Sequence, residues 1–265
     1  QIYEREKSSK LMINILSHIV EFRNGESGLH VLHIQTITEM LLRQLVQKEN
    51  NRYALSKEQI RMITTASALH DIGKISIPDE ILNKPGRLTA EEFAVIKGHS
   101  MAGANMLSEL PLDQKEEPLV KTAYEICRWH HERYDGGGYP DGLKGEEIPV
   151  SAQVVALADV YDALTSERCY KDAYSHEKAI EMILAGQCGA FNPLMLECLL
   201  DISSSLKKKM GYKSKERYEQ TDLSDIASRF HDFEMDSSEK IVQQLEFERM
   251  RYNFLAEGSR NIVFT

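Results

Sequence analysis

The sequence predicts an all-α fold, and three features of the chain support this prediction. Apolar residues recur at helical spacing in several segments, capping patterns precede two of these segments, and few stretches alternate as β-strands do. With 42% apolar and 28% charged residues the composition is ordinary for a globular protein, and 265 residues suffice for one large domain with extensions. We therefore expect a helical bundle flanked by extra helices at both ends.

Helices are expected throughout the first half of the chain. Residues 7–22 carry an apolar stripe wide enough to pack on a domain or to pair with another chain. Ser56 is typical of a helix N-cap, and Thr89 with Glu92 forms a capping-box pattern. Further helices are expected over 28–48, from Ser56 to about His70, from Thr89 to a junction at Gly98-His99, and through Trp129.

The second half combines a long loop with further helices. Residues 132–149 are rich in Gly and Pro and predict a loop. Residues 150–164 are apolar and small, which is typical of a buried helix, and Asp159 lies inside them. A lone buried carboxylate is costly unless it is paired or coordinated. Helices resume at about 175–185 and 193–205.

Composition and charge exclude several classes of protein. The net charge of −9 argues against direct DNA or RNA binding, and no run approaches the ~18 apolar residues that span a bilayer. The four cysteines lie far apart without a CxxC pair, which indicates reduced thiols and a cytoplasmic location. An anionic substrate would need a local positive field from metal ions and a few basic side chains.

The stretch from Leu69 to Lys74 carries the most chemistry. His70 and Asp71 offer a nitrogen and a carboxylate that divalent transition metals accept, and a carboxylate can also bridge two ions. Lys74 follows one turn later and suits a phosphate oxygen. For an isolated dipeptide, a helix-terminal His bonded to the neighbouring Asp is the alternative interpretation.

Other histidines and acids can complete one site. Glu26 and His30 are four residues apart, which places them on one helical face. His99 also fits a helix cap, and His130-His131 also fit an exposed helix end. Five imidazoles and three carboxylates exceed the need of one ion, so we expect at least two metals bridged by Asp71. These ligands suit iron, manganese or zinc rather than calcium. The candidate metal ligands are Glu26, His30, His70, Asp71, His99, His130, His131 and Asp159.

The loop after the double histidine carries a family signature. Residues His130 to Leu143, with Gly138-Tyr139-Pro140 inside them, closely resemble the signature of the HD-GYP family, a branch of the HD-domain metal-dependent phosphohydrolases. The resemblance covers about residues 25–205. Cys169 departs from the usual proline, and Gly137 stands where Ser or Thr is common. Further matching segments are Leu69 to Lys74, Gly98-His99-Ser100, Ala158 to Ser166, Arg168 with Tyr170-Lys171, and Phe191-Asn192-Pro193.

The resemblance implies a phosphodiesterase of bacterial signalling. It implies hydrolysis of cyclic di-GMP to pGpG and, in some members, to GMP, with the eight candidate ligands holding two or three divalent ions. Iron or manganese is favoured, and zinc, nickel or magnesium can serve in vitro. Lys74, Arg168 and Lys171 match residues that hold substrate phosphates, and Lys74 with Asp71 are the implied catalytic residues. From their spacing, Asp162 is expected to support a ligand rather than to act as a base, and His33 is expected either to support a ligand or to pack.

Two other functions remain open at this stage. The domain can instead bind cyclic di-GMP or a partner protein without turnover, or hydrolyse another nucleotide. The run Gly136 to Gly138 either lets backbone approach the ligand or forms a plain turn.

The ends of the chain suggest a larger protein. It begins with Gln1 rather than Met and stops within an apolar run, so we expect a fragment with additional sensor or signalling domains. The apolar stripes at 7–22 and 238–255 fit signal-transmitting helices that allow a homodimer, and equally fit packing helices. The expected regions are a linker or signalling helix at 1–24, the HD-GYP domain at 25–205, and a polar segment with a helix leading into a truncated domain at 206–265.

Overall fold

The computed structural model describes residues 2–23, 29–166 and 173–211, with side chains from Ser8 onward. These residues form helices and no strands, so the all-α prediction is confirmed. The chain divides after Lys207, and the candidate site lies in the first unit, Gln1–Lys207. The α-helices are α1 (Ile2–Arg23), α2 (His30–Leu45), α3 (Lys57–Ala66), α4 (Asp79–Leu82), α5 (Ala90–Ser108), α6 (Leu112–Lys115), α7 (Pro118–Trp129), α8 (Val150–Thr165), α9 (His176–Leu184) and α10 (Pro193–Gly211). Short 3-10 helices cover Ser67–Leu69, Ile72–Ser76 and Gly145–Glu147.

The N-cap at Ser56 and the capping box at Thr89 expected from the sequence are present, and Ser56 also forms a capping box with Gln59. The Ser56 hydroxyl accepts from the Gln59 amide at 3.1 Å, and the Gln59 side chain accepts from the Ser56 amide at 2.9 Å. Thr89 and Glu92 make the same reciprocal pair at the start of α5. Each box satisfies two amides that a helix start otherwise leaves without partners.

The expected junction at Gly98-His99 is wrong, because both residues lie inside the continuous helix α5. A single glycine costs a helix only about 1 kcal/mol relative to alanine. Packing of α5 against α7 and against Ile72–Ser76 provides more than that. His99 is therefore held at mid-helix rather than at a helix end.

Helices α2 and α8 form the centre of the bundle. They pack against each other, and α2 also contacts α3 while α8 contacts α7 and α9. Ile34, Leu41 and Leu157 are fully buried at this centre. Because α8 is apolar on nearly all sides, its burial agrees with the prediction for residues 150–164.

The turn after Asp71 packs directly on the backbone of α5. A Cβ atom added to Gly73 would lie 1.9 Å from the carbonyl oxygen of His99 and 2.4 Å from the amide nitrogen of Gly103. No side chain fits in that space. Glycine at this position therefore lets the segment bearing His70 and Asp71 lie against the helix bearing His99.

Helix α1 has one buried face and one exposed apolar face. One face is buried through Ser17, Val20 and Glu21, where α1 contacts α2 and the 3-10 helices. The other face is exposed and carries Leu11, Met12, Ile15, Leu16, Ile19 and Phe22. Among the described helices, none combines the length and the apolar character needed to cross a bilayer.

Candidate metal centre

The bundle brings histidines from distant parts of the chain to one place. His30 begins α2, His70 follows the 3-10 helix Ser67–Leu69, and His99 lies within α5. His130 and His131 follow the last residue of α7. Each of His30, His70, His99 and His130 is at most 4% exposed, so water contributes little to the solvation of their rings.

Backbone carbonyls fix the protonation of three of these rings. The Nδ1 atom of His70 lies 3.0 Å from the Ser67 carbonyl, that of His99 lies 2.7 Å from the Ile96 carbonyl, and that of His130 lies 2.9 Å from the Ile126 carbonyl. A carbonyl oxygen only accepts, so Nδ1 must carry the proton in each case. In its neutral form each of these rings therefore turns an unprotonated Nε2 toward the centre.

These Nε2 atoms face one another at short distance. The separation is 3.3 Å between His99 and His130, 3.2 Å between His131 and His99, and 3.4 Å between His30 and His70. Two nitrogen lone pairs cannot form a hydrogen bond with each other. Where both nitrogens are unprotonated, as in neutral rings of His99 and His130, their lone pairs repel unless a cation lies between them, which is the property of a metal site.

Asp71 lies between two groups of candidate ligands. Its Oδ1 atom is 3.1 Å from Nε2 of His99 and 3.7 Å from Nε2 of His130, whereas its Oδ2 atom is 3.2 Å from Nε2 of His70. The two oxygens therefore face different histidines. The groups, within each of which one ligand atom per residue lies within 4.8 Å of the others, are Asp71, His99, His130 and His131, and His30, His70 and Asp71.

The charge of Asp71 is maintained despite its burial. Burial by itself would raise the pKa of this carboxyl, but Lys74 and His70 outweigh that effect and hold the pKa well below its usual range. His131 is held in the neutral form that binds metals, because burial and then the neighbouring His130 and His99 lower its pKa well below the ordinary value. An ionised carboxylate and neutral imidazoles are the forms that bind metals.

The donor set fits divalent transition metals. Five imidazole nitrogens and a shared carboxylate suit iron, manganese or zinc, and the all-oxygen shell preferred by calcium is absent from these two groups. Each group supplies three or four protein ligands, which leaves room at an ion for water or substrate. The residues present therefore fit two adjacent cations that share Asp71.

A buried aspartate orients His30 from behind. The Asp162 carboxylate lies 2.7 Å from Nδ1 of His30 and 2.6 Å from Nδ1 of His33. Burial would raise the pKa of Asp162, but its hydrogen bonds to His30 and then His33 lower it below the ordinary value. The ionised carboxylate accepts from both rings, which directs the His30 Nε2 lone pair to the centre, as anticipated for Asp162 and His33.

Two acids approach His30 from outside the two groups. Asp159 Oδ1 lies 3.8 Å and Glu21 Oε1 lies 3.9 Å from its Nε2 atom. The Asp159 side chain is 20% exposed, so it is not the fully buried carboxylate expected in α8. That description fits Asp162, one turn later, whose side chain is 2% exposed. A ligand role for Asp159 stays a prediction.

Glu21 was not among the residues singled out from the sequence. Its side chain is 3% exposed and lies in α1, the helix that was assigned to linkage or signalling. The sequence feature that could have identified Glu21 is its position between Val20 and Phe22 on an apolar helix, because an acid buried there requires a partner.

Lys74 is the described cation nearest to the candidate ligands. Its Nζ atom lies 2.6 Å from Oδ2 of Asp71, so its charge enters the same cluster. The other expected phosphate-binding residues, Arg168 and Lys171, and the expected ligand Glu26 lie outside the described residues.

The loop from Glu132 to Gly142 is held by the chain itself. The Glu132 Oε1 atom accepts from the backbone amides of Asp141 at 2.7 Å and Gly142 at 3.0 Å. A Cβ atom on Gly138 would lie 2.3 Å from the Arg133 amide nitrogen, and Gly136 has a φ of +83°. Both glycines are therefore explained by the folding of the loop on itself, which supports the turn interpretation.

Tyr139 covers one side of the cluster. Its ring stacks on that of His131, with centroids 4.7 Å apart and planes inclined by 27°. Burial raises the pKa of the Tyr139 hydroxyl, and the charges of Asp71 and Asp159 act in the same direction. The hydroxyl therefore remains protonated near the centre and can donate a hydrogen bond.

Comparison with known proteins finds a matching family and several relatives of this chain. The family model of the HD domain matches residues 10–191. A Vibrio cholerae protein named a probable cyclic di-GMP phosphodiesterase is 40% identical over 203 residues, which cover 74% of this chain and 45% of the relative. The Xanthomonas campestris cyclic di-GMP phosphodiesterase response regulator RpfG is 36% identical, over 80% of this chain and 52% of its own length. A 3'3'-cGAMP-specific phosphodiesterase 2 of V. cholerae is 39% identical, over 74% of this chain and 35% of its length.

A solved structure agrees at the level of the fold. The crystal structure of a cyclic GMP-AMP phosphodiesterase of V. cholerae, V-cGAP3, matches 80% of this chain and 52% of its own with a TM-score of 0.53 and 18% identity. The chain spans about half or less of the length of the curated relatives it matches. Given the match over residues 10–191 and the Gly138-Tyr139-Pro140 loop, the chain belongs to the HD-domain family, in its HD-GYP branch.

Proposed function

We propose that this chain is a metal-dependent phosphodiesterase that hydrolyses cyclic di-GMP. The observation that carries the proposal is the pair of histidine groups joined by Asp71, with the Nε2 atoms turned inward. Ion pairs that serve stability do not need five imidazoles facing one another. The relatives named as cyclic di-GMP phosphodiesterases support the choice of substrate.

The chain's own residues have distinct tasks in this reaction. Divalent cations held by the two groups would supply Lewis acidity and a nucleophilic water at neutral pH. Asp71 keeps the two groups at a fixed separation, and Asp162 keeps His30 in the ligating tautomer. Lys74 places a positive charge where negative charge develops on the phosphoryl oxygens during in-line attack, a contribution worth a few kcal/mol when positioned.

Finer features of the reaction belong to the same proposal. We infer that pGpG is the first product and that a second hydrolysis to GMP can follow. Iron or manganese fits the mixed imidazole and carboxylate shell. A third ion would need Glu26 with ligands other than His30, whose inward Nε2 already serves the group with His70 and Asp71. We place the activity in the cytoplasm, in agreement with free thiols at the buried residues Cys127 and Cys198.

The substitution Asp71→Ala tests the proposal directly. We expect the variant to lose both bound metal and turnover, because one carboxylate serves both ligand groups. Protein purified without oxygen is analysed for metal per chain by mass spectrometry and then assayed with cyclic di-GMP, with products separated by chromatography. Retained hydrolysis in Asp71→Ala would contradict the proposal.

Two outcomes of the assay correspond to the alternative functions. Tight binding of cyclic di-GMP by metal-loaded wild-type protein without any product would indicate a binding module. Faster turnover of 3'3'-cGAMP or of a deoxynucleotide would indicate another substrate, and the similarity to a 3'3'-cGAMP-specific relative makes the first comparison necessary.

We also propose that α1 pairs with α1 of a second copy of the chain. Met12, Ile15, Ile19 and Phe22 recur at alternating spacings of three and four residues, which is the seam of a coiled coil, and they are 40% to 59% exposed. From Leu11 to Phe22 the exposed face carries no acidic or basic side chain apart from His18. An uncharged apolar seam is complementary to an identical seam.

A further inference from the structure

The patch formed by Phe93, Lys97 and Tyr139 lies beside the metal centre and has no role in holding it. Phe93 and Lys97 are four residues apart on one face of α5, and Tyr139 comes from the long loop. The Lys97 Nζ atom lies 4.8 Å from the centroid of the Phe93 ring and 5.2 Å from that of Tyr139. Both distances fit cation–π contacts, so the two rings hold the ammonium group in place.

This patch is connected to a candidate ligand by one aromatic ring. Tyr139 stacks on His131, whose Nε2 atom is 3.2 Å from that of His99. Lys97 and His131 both contact the Tyr139 ring, so a group bound at Lys97 lies within one aromatic side chain of the histidine cluster. In a nucleotide, one sugar separates the base from its phosphate. A phosphate at the metals would thus place its base in the region of this patch.

The exposed ring and the ammonium group of this patch are suited to binding a nucleotide base. Phe93 is 47% exposed, so part of its side chain is open to a stacking base. Within the described part of the chain, Lys97 forms no ion pair with a carboxylate, in contrast to Lys74 and Lys84. An ammonium group donates hydrogen bonds and accepts none, so it suits an acceptor edge.

We propose that the Phe93, Lys97 and Tyr139 patch binds one guanine base of the substrate. Phe93 stacks on the base, as aromatic side chains do in single-strand binding sites. Lys97 donates to the O6 and N7 acceptors of guanine. Adenine presents an amino group in place of O6, which an ammonium group cannot engage, so Lys97 determines base specificity. This inference rests on the proposed function, because it assumes that a nucleotide phosphate lies at the metals.

The test compares Lys97→Met, which removes the charge and keeps the aliphatic stem, with Lys121→Met. Lys121 is a surface lysine paired with Glu116 and serves as the matched control. Three substrates are used: cyclic di-GMP, cyclic di-AMP, and bis(4-nitrophenyl) phosphate, a phosphodiester that has no base. Phe93→Leu provides a second variant that removes the ring, and thermal melting with metal analysis establishes that each variant is folded and loaded.

The expected result is a change in the ratios of kcat/KM between the three substrates. In Lys97→Met, kcat/KM for cyclic di-GMP falls about tenfold relative to that for bis(4-nitrophenyl) phosphate, mainly through KM, and the preference over cyclic di-AMP shrinks by a similar factor. Phe93→Leu lowers turnover of both dinucleotides, because stacking does not depend on the base. Lys121→Met leaves all ratios as in the wild type. Equal losses on all three substrates in Lys97→Met would overturn the proposal, since Lys97 would then act on the phosphate or the metals.

A binding measurement separates this inference from the proposed function. Calorimetric titration of the metal-loaded protein with GMP and AMP reports base preference without turnover. If the wild type cleaves bis(4-nitrophenyl) phosphate but neither dinucleotide, the proposed function fails. The patch is then judged by GMP binding alone: an unaltered GMP preference in Lys97→Met refutes it, and a lost preference supports it.

Discussion

At the scale of single residues, the protonation of the histidines follows from their backbone partners. His70, His99 and His130 each donate from Nδ1 to a carbonyl, whereas His30 donates to the Asp162 carboxylate. The carbonyls belong to helical segments that do not change on substitution of a side chain. Asp162 is therefore the member of this outer layer that a point mutation can test.

Asp162→Asn is expected to weaken metal binding by about 10- to 100-fold. An amide can accept from one of His30 and His33, but its NH2 group meets the other Nδ1–H, so a ring must change tautomer or turn. Titration of the protein from which metal has been removed with Mn2+ measures the change. Asp201→Asn, an exposed aspartate paired with Lys48, is the matched control. Unaltered affinity in a folded Asp162→Asn protein would refute the role of this carboxylate.

At the scale of elements, Gly73, which packs on α5, and Gly98, which lies within α5, have opposite requirements. Gly73 has backbone atoms of α5 at 1.9 Å and 2.4 Å from the position of an added Cβ, whereas Gly98 in α5 has no atom within 4 Å of that position. The first glycine is required by packing, and the second is a helix-interior residue that could be alanine.

Gly73→Ala is expected to destabilise the protein by about 3 kcal/mol or more, because backbone atoms cannot move aside as side chains do. Gly98→Ala should stabilise it by up to about 1 kcal/mol through helix propensity. Urea denaturation of the two variants measures both free energies of unfolding. Similar stability of Gly73→Ala and wild type would contradict the close contact between Ile72–Ser76 and α5.

Pairing through α1 gives a second prediction at this scale. Ile19→Glu should convert the dimer to a monomer, since Ile19 is 59% exposed at the middle of the seam and a buried charge there would be unpaired. Leu112→Glu, at a 68% exposed leucine in α6, should leave the dimer intact. Sedimentation velocity of both variants and the wild type measures the association. A monomeric wild type would show that another segment or partner covers the stripe.

At the scale of the whole molecule, metal binding should add stability without creating the fold. The bundle has a continuous core around α2 and α8, so we expect the metal-free protein to keep its helical circular dichroism. Mn2+ at a hundred times its Kd should raise the free energy of unfolding by about 2.7 kcal/mol per site. Thermal melting with and without Mn2+ tests this, and Asp71→Ala should show no such increase. Unfolding on chelation alone would contradict it.

Local rules recovered the elements of this fold well. The caps at Ser56 and Thr89, the helix over residues 150–164 and the end of α7 before His130 all depend on neighbours within about four residues. The error at Gly98 arose because propensity there opposes a helix that tertiary contacts maintain. The domain bounds and the ligand roles stay predictions.

The sequence by itself determined the all-α class, the order of the helices, the histidines and acids that can hold metal, and the family resemblance. Only the tertiary structure decided that Asp71 turns its two oxygens to different histidine groups, that Asp162 rather than Asp159 is the buried carboxylate, and that Glu21 reaches His30. The physical reason is that spacing along a helix fixes neighbours within a turn, whereas contacts between Glu21, His30, Asp71 and Asp162 depend on how separate helices pack.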